Sequence, residues 1–354
     1  MHQRIRLSLL ILILVISVIT LVFVIINYEN SKTQKGQMPL PKVDEWLDWC
    51  KKYNITFDSD AENIYRHWVW LKNYEMIQRH NARTDSTYKM GLNQFSYMEH
   101  WEFVEMNLRR RGVIKDYNEP DTPESSLTLP DIAATTAGNC FSNNFDWRNK
   151  FPSITARDQS SCGACWAFAS AAVLEWHWAI HKGQNLSVSP QHLVDCVRAS
   201  HGCSGGLIEH ALYYAQKQGV ASEEDYPYKS RVTQCMENST RASAKIKGYT
   251  SLLGMDENAL ACAVQRIGPI AIAFDFSGAA LQHYKSGIYD GNDCSTELLN
   301  HAMVLVGFGT DSKGNQYWIA QNSFSQNWGE NGFFRIKFGV NLCGLNSDPV
   351  MPIV

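Results

Sequence analysis

The residues best suited to chemistry in this chain lie between Gln159 and Phe168, which read Q-S-S-C-G-A-C-W-A-F. Cys162 and Cys165 flank Gly163-Ala164, and an unbroken run of helix formers follows from Trp166 to Glu175. Small residues feeding such a run place Cys165 in the first turn of a helix. Unpaired N–H groups and the positive end of the helix dipole favour a thiolate there. A thiolate is a strong nucleophile, and a neighbouring imidazolium would depress its pKa further. The side-chain amide of Gln159 can join the Cys165 N–H in binding an oxyanion. The same C-x-x-C spacing also suits a metal site or a redox dithiol. Amide hydrolysis by a cysteine additionally needs a base that protonates the leaving amine and a group that orients that base.

The chain that must position these groups has 354 residues, enough for two or three domains. A formal net charge of −3 gives no argument for a nucleic-acid partner. Ten cysteines, most of them after Asn139, indicate an oxidising compartment and several disulfides. Sequons begin at Asn54, Asn185 and Asn238, which supports a secretory route only weakly. No H-E-x-x-H or paired C-x-x-C motif is present, so neither a metal nor another cofactor is expected.

Residues 7–26 carry no charge after Arg4 and Arg6. Twenty residues of helix rise about 30 Å, enough to cross a bilayer core. The run exceeds an ordinary cleaved signal and no small-x-small site follows it. The expectation is a signal anchor with residues 1–6 cytoplasmic, residues 27–42 as a stalk, and a type II membrane precursor; a cleaved signal peptide is the alternative. From Val43 to about Phe103 the pattern is helical, with Glu62, Arg66, Trp70, Asn73, Ile77 and Asn81 on one stripe. Residues 109–139 open with Arg109-Arg110-Arg111, turn rich in Pro, Ser, Thr and Asp, and read as an exposed linker. Helices are expected after Ser189-Pro190, over 207–218 and over 257–267. Strand-like runs follow at 270–274, 303–308, 316–321 and 332–338. Helices first and strands later imply an α+β domain of two lobes.

Cys162-Gly163-Ala164-Cys165-Trp166, with His301 and Asn322 at the distance expected downstream, resembles the active-site signature of papain-like cysteine proteases. The contexts agree: His301-Ala302-Met303-Val304-Leu305-Val306-Gly307-Phe308-Gly309 is similar to the family's H-A-V-x-x-V-G-Y-G. Asn322-Ser323-Phe324 with Asn327 to Gly332 is similar to its N-S-W-G…W-G-E-N-G. Phe145-Asp146-Trp147-Arg148 and Tyr226-Pro227-Tyr228 are also similar to family motifs. The Glu62–Asn81 stripe resembles the ERFNIN motif of cathepsin L-type propeptides, and Gly91 to Tyr97 resembles their G-x-N-x-F-x-D, with Tyr97 in place of Asp.

The resemblance implies a papain-like fold over residues 140–354, a helical lobe meeting a barrel-like lobe, preceded by an inhibitory propeptide over 43–108. It implies Cys165 as nucleophile, His301 as acid and base, Asn322 as orienter and Gln159 in the oxyanion hole. Gly206, Leu207, Ile208, Ala273, Leu299, Ala302, Asp348 and Trp328 would bind substrate, with an apolar side chain preferred two residues before the cleaved bond. Disulfides would join Cys162 to Cys203, Cys196 to Cys235, and Cys294 to Cys343. Cys50 and Cys262 are expected as buried free thiols; a Cys140–Cys262 disulfide is the alternative. No exopeptidase-type insertion is present, so an endopeptidase made as a zymogen is expected, against the alternative of a papain-fold binding protein. Its partners would be protein and peptide substrates, its own propeptide and cystatin-like inhibitors. A monomer is expected, in lysosomes, endosomes or outside the cell. Phe324 stands where the family has Trp, which implies a thinner shield over the His–Asn pair. Tyr97 implies activation less dependent on acid.

Overall fold

The computed structural model describes residues 42–108, 144–236, 242–291 and 293–354. The expected anchor, the 109–139 linker, Cys140 and Asn238 lie outside the described residues. Two units are distinguished, one of residues up to Met76 with Ser96–Met98, the other of Ile77–Phe95 with Glu99–Val354.

Helical spacing of apolar residues gives α1 (Val43–Tyr53), and the long helix α2 (Asp60–Asn81) follows, with Asp60 and Glu62 in its first turn and Arg79 and His80 in its last. α1 ends at Asn54, whose left-handed φ of 53° returns its N–H to the carbonyls of Cys50 and Lys51. In the first unit Trp46 stacks on Trp49 and on the His67 ring and meets Trp70 edge-on. Arg66 lies 3.6 Å from Glu62 and 5.5 Å from the Tyr97 ring centroid. Asn73 Nδ2 donates to the carbonyls of Ser96 and Met98, both at 3.0 Å. The helical stripe therefore works as a row of anchors for the returning chain. Cys50 is a free, half-buried thiol, and burial pushes its pKa up to about 11, which disfavours the thiolate.

The helical pattern expected to run to Phe103 is broken. After α2 the chain forms strand β1 (Tyr88–Met90) and re-enters a helix only at α3 (His100–Asn107). Asn81 fixes the turn, donating from Nδ2 to Met90 O at 2.8 Å and accepting the Met90 N–H at 3.0 Å. A three-residue strand is stable only against a partner, so its own sequence carries no sign of it.

The second unit continues with β2 (Phe145–Asp146), α4 (Cys165–Lys182), α5 (Pro190–Cys196), α6 (Ile208–Lys217), β3 (Gly248–Ser251), α7 (Glu257–Arg266), β4 (Ile270–Phe274), α8 (Ala279–Gln282) and β5 (Tyr284–Tyr289). Then come β6 (His301–Thr310), β7 (Gln316–Gln321), β8 (Phe333–Lys337) and β9 (Val350–Ile353). The sheet runs β1-β5-β8-β7-β6-β4-β9-β3, with β2 on β6. Helices precede the long strands, so the fold is α+β, with α1 to α3 ahead of it. Strands β2, β3 and β9 are absent from the sequence reading because each is short and owes its conformation to its neighbour; β5 is as long as β7 but carries Lys285, Ser286 and Gly287 in its middle, which hide its pattern.

α4 is the core element. Every residue from Cys165 to Ala179 is buried, as suits a helix apolar on nearly all faces. It packs on β4, β6, α5 and α6 and ends at Gly183 in a left-handed conformation. Its one buried charge, Glu175, accepts the Val188 N–H at 2.8 Å and meets Arg157 at 3.1 Å. Arg157 also donates to Val188 O at 2.9 Å and lies 3.5 Å from Glu223. Burial raises the Glu175 pKa, with Arg157 opposing it. The ion pair thus ties the helix that carries Cys165 to the segment leading into Gln159.

Disulfides join Cys162–Cys203, Cys196–Cys235 and Cys294–Cys343. Cys262 is also disulfide-bonded, which corrects its reading as a free thiol; its partner lies outside the described residues. A helix position buried among apolar residues carries no sequence sign of whether its thiol is paired.

Replacing Glu175 by Ala leaves Arg157 and the Val188 N–H short of a buried acceptor. It should cost about 3 kcal/mol in a denaturant titration of the full chain; a loss below about 0.5 kcal/mol would mean the pair does not hold α4.

Candidate active site

Cys165 is the first residue of α4 and is buried. Phe168, Ala169 and Ala172 follow it at helical offsets of three, four and seven, so all four share one face. Those three residues line a small void with Ala302, Val304, Gln321, Asn322 and Ser323. The Cys165 face of α4 therefore looks onto the start of β6, where His301 stands, and the end of β7, which leads into Asn322.

His301 is fully buried, and its Nε2–H donates to Asn322 Oδ1 at 2.8 Å. The Ser323 N–H, also at 2.8 Å, fixes that amide with its oxygen toward the ring. Nδ1 makes no hydrogen bond among the described residues. The tautomer is thereby set, with the lone pair left on Nδ1. Burial pulls the His301 pKa down to about 4, partly opposed by the Asn322 bond.

Gln159 is held from several sides. Its N–H donates to Ser323 O at 2.9 Å, its Oε1 accepts from Ser323 Oγ at 2.6 Å, and its carbonyl accepts from Tyr228 Oη at 2.8 Å. Its Nε2 donates to Cys162 O and to Asn107 O, each at 3.0 Å. The donor suited to an oxyanion is thus occupied by a backbone carbonyl at the end of α3. Ser160, next in sequence, takes a left-handed φ of 51°, braced by its N–H to Asp158 Oδ1 at 2.8 Å. The need for that backbone conformation explains why glycine suits the position.

Around His301 the covering is aromatic. Phe324 lies 5.0 Å from the imidazole, nearly parallel, and Trp328 meets Phe324 edge-on at 5.8 Å. From the pro-segment, Phe95 and Phe103 reach Phe324 at 5.3 and 5.7 Å. Polar contacts fasten that segment. Asn93 Nδ2 donates to Gln282 O at 2.7 Å, Gln282 Nε2 donates to Phe95 O at 3.0 Å, and Gln94 Nε2 donates to Phe324 O at 2.6 Å. β1 pairs antiparallel with β5.

The pattern of the papain family cysteine protease matches residues 141–353, and that of the cathepsin propeptide inhibitor domain (I29) matches residues 46–103. The chain belongs to the papain family of cysteine proteases. It is similar to cathepsin K of Mus musculus, 34% identical over 87% of this chain and 92% of that one. It is also similar to ananain of Ananas comosus, 35% identical over 88% of each. The solved structure of digestive procathepsin L2 proteinase from Tenebrio molitor larval midgut superposes with a TM-score of 0.78 at 31% identity, over 88% of this chain and 99% of that one. This papain-family chain is a cysteine endopeptidase built as a zymogen, with the propeptide domain that procathepsins carry.

The other expected site residues fall as follows. Gly206 lies against Trp166 and Ser200, closer than any Cβ would permit. Ile208 opens α6 and is buried, while Leu207 before it is half-buried. Ala273 and Ala302 are cross-strand partners on β4 and β6. Leu299 packs on Gly344, and Asp348 is half-buried. Trp328 is fully buried with its indole N–H on Leu281 O at 3.1 Å. Sequence reasoning gave no role to Tyr228, Ser323 or Arg157, although Ser323 beside Asn322 was a signal.

In the full-length chain His301 should stay neutral above about pH 4. A depressed histidine pKa means that the covered state is fully favoured above the ordinary imidazole range and weakens as pH falls toward 4. Histidine-labelled NMR of the full chain should give a midpoint for this ring near 4; titration between 6 and 7 would show that burial does not govern it.

Proposed function

We propose that hydrolysis runs through a Cys165 thiolate and a His301 imidazolium, with Asn322 as orienter and Gln159 plus the Cys165 N–H as oxyanion donors. The observation that carries this reading is the buried 2.8 Å bond from His301 Nε2 to Asn322 Oδ1, which leaves Nδ1 to exchange a proton with the thiol. Cys165 Sγ attacks the scissile carbonyl carbon, and the C=O π pair moves onto the oxygen. Collapse breaks the C–N bond as the Nδ1 proton passes to the leaving amine. Water, losing a proton to Nδ1, then opens the thioester and returns the thiolate.

Inhibition in the zymogen rests on the Asn107 carbonyl filling the Gln159 donor and on the aromatic cover from Phe95 and Phe103. Arg66 faces the Tyr97 ring, a cation–π contact that carboxylate protonation does not break. Activation is therefore less steep in the carboxylate range than a carboxylate at 97 would make it. The exposed sequon asparagines Asn54 and Asn185 support glycosylation, and the 7–26 run supports a membrane-anchored precursor in the secretory pathway.

An epoxide or vinyl-sulfone probe tests the reading. Processed enzyme should label rapidly, full-length chain far more slowly and without an onset near a carboxylate pKa. Cys165→Ala should not label at all and should lose roughly six orders of magnitude in kcat. Equal labelling of full-length and processed protein would contradict the zymogen reading.

For specificity, Leu207, Ile208, Ala273, Leu299 and Ala302 would bury an apolar side chain two residues before the cleaved bond, at roughly 25 cal/mol per Å². Asp348 would allow Arg as a secondary choice. A positional scanning library should show Leu preferred and Arg acceptance reduced in Asp348→Ala; unchanged Arg acceptance would remove Asp348 from the pocket.

A further inference from the structure

Phe276, in the loop after β4, belongs to none of the roles assigned above. Its ring is fully buried and lies 4.9 Å from the His301 imidazole. It meets Phe324 edge to face at 5.6 Å, so the imidazole and the two phenyl rings form a triangle. Trp328, 5.7 Å from Phe276, and Phe334, 6.1 Å away, back that triangle. The backbone of Phe276 is tied to the residue before His301. Its N–H donates to Asn300 Oδ1 at 2.8 Å, and Asn300 Nδ2 donates to Asp275 Oδ1 at 2.9 Å and to Ser277 Oγ at 2.5 Å. Asp275, itself buried, also accepts the N–H groups of Ser277 and Ser295. The loop that carries Phe276 and the strand that carries His301 are thereby fastened as one piece.

We propose that Phe276 is a positioning residue for the peptidase reaction, completing the dry cover over the His301–Asn322 hydrogen bond that Phe324 alone leaves thin. This rests on the reading of His301 as the base. An N–H···O bond is worth only about 1 kcal/mol net where water competes, and more where water is shut out. A phenyl ring at 324 covers less than an indole, and Phe276 brings a second phenyl to the same imidazole. In the zymogen Phe103 adds to this cover, 6.3 Å from Phe276 and 5.7 Å from Phe324. When the pro-segment leaves, Phe276 and Phe324 remain as the phenyl pair beside the base.

The test uses full-length protein processed to the active form and titrated for active sites, comparing Phe276→Ala, Phe276→Leu, Phe324→Trp and the Phe276→Ala/Phe324→Trp double variant. Phe276→Ala should lower kcat about ten-fold, the worth of one shielded hydrogen bond, with KM unchanged. Adding Phe324→Trp should restore most of that loss. On histidine-labelled enzyme with its thiol capped, the His301 Nε2–H proton should exchange slowly in wild type, rapidly in Phe276→Ala, and slowly again in the double variant. Phe276→Leu keeps the apolar bulk and should fall between wild type and Ala, which preserves the comparison if the Ala variant does not fold. Unchanged kcat and N–H exchange in the Ala or Leu variant would overturn the proposal. So would a raised KM with the N–H signal intact, which marks a substrate wall, or failure of Phe324→Trp to restore a folded Phe276→Ala enzyme. Failure of the base assignment is seen separately, as activity retained in His301→Ala.

Discussion

A single hydrogen bond, from His301 Nε2 to Asn322 Oδ1, has to be kept dry, and much of the surrounding structure follows from that need. The bond selects the tautomer that leaves the lone pair on Nδ1, and it survives only where water cannot replace the amide oxygen. The aromatic wall of Phe324, Phe276, Trp328 and Phe334 meets that requirement from one side. The same burial opposes charge on the imidazole, since taking a cation out of water is costly. Phe95 and Phe103 add to the apolar cover, and burial pulls the His301 pKa down.

Gln159 is the second point on which the site turns. Its backbone and side chain are fixed by Ser323 and Tyr228, so its Nε2 is presented without freedom to move away. A rigid donor of this kind serves whichever carbonyl oxygen reaches it. The pro-segment offers the Asn107 carbonyl, an atom of the same type that a substrate would bring. Gln282 secures the segment, receiving Asn93 on its carbonyl and donating to Phe95. On the proposed mechanism, blocking and catalysis draw on one hydrogen-bond donor.

Holding both points in register falls to α4. A helix buried from Cys165 to Ala179 cannot shift without opening the core. The Arg157–Glu175 pair joins it to the strand of chain that ends in Gln159. Rigidity at Cys165 therefore comes from apolar packing along the helix, and one charged pair ties the helix to the segment leading into Gln159.

The sequence alone was enough to place Cys165 at a helix N-terminus, Gln159 before it, and a helical stripe of Glu62 to Asn81 ahead of a later group of strands. Those features are local: they depend on residue type and on spacings of three, four or two, which the chain states directly. The resemblance of the motifs around His301 and Asn322 supplied the rest of the expected site. Strand β1, the pairing of Cys262 and the roles of Tyr228, Arg157 and Phe276 were not legible. Each depends on a partner far away in the chain, as when β1 pairs with β5 or Phe276 meets His301. A short strand, a buried thiol or a single phenylalanine has the same local signature whether or not such a partner exists. Only folding, by bringing β4, β6 and the end of β7 together on α4, decided which aromatic rings cover His301 and which carbonyl fills the Gln159 donor.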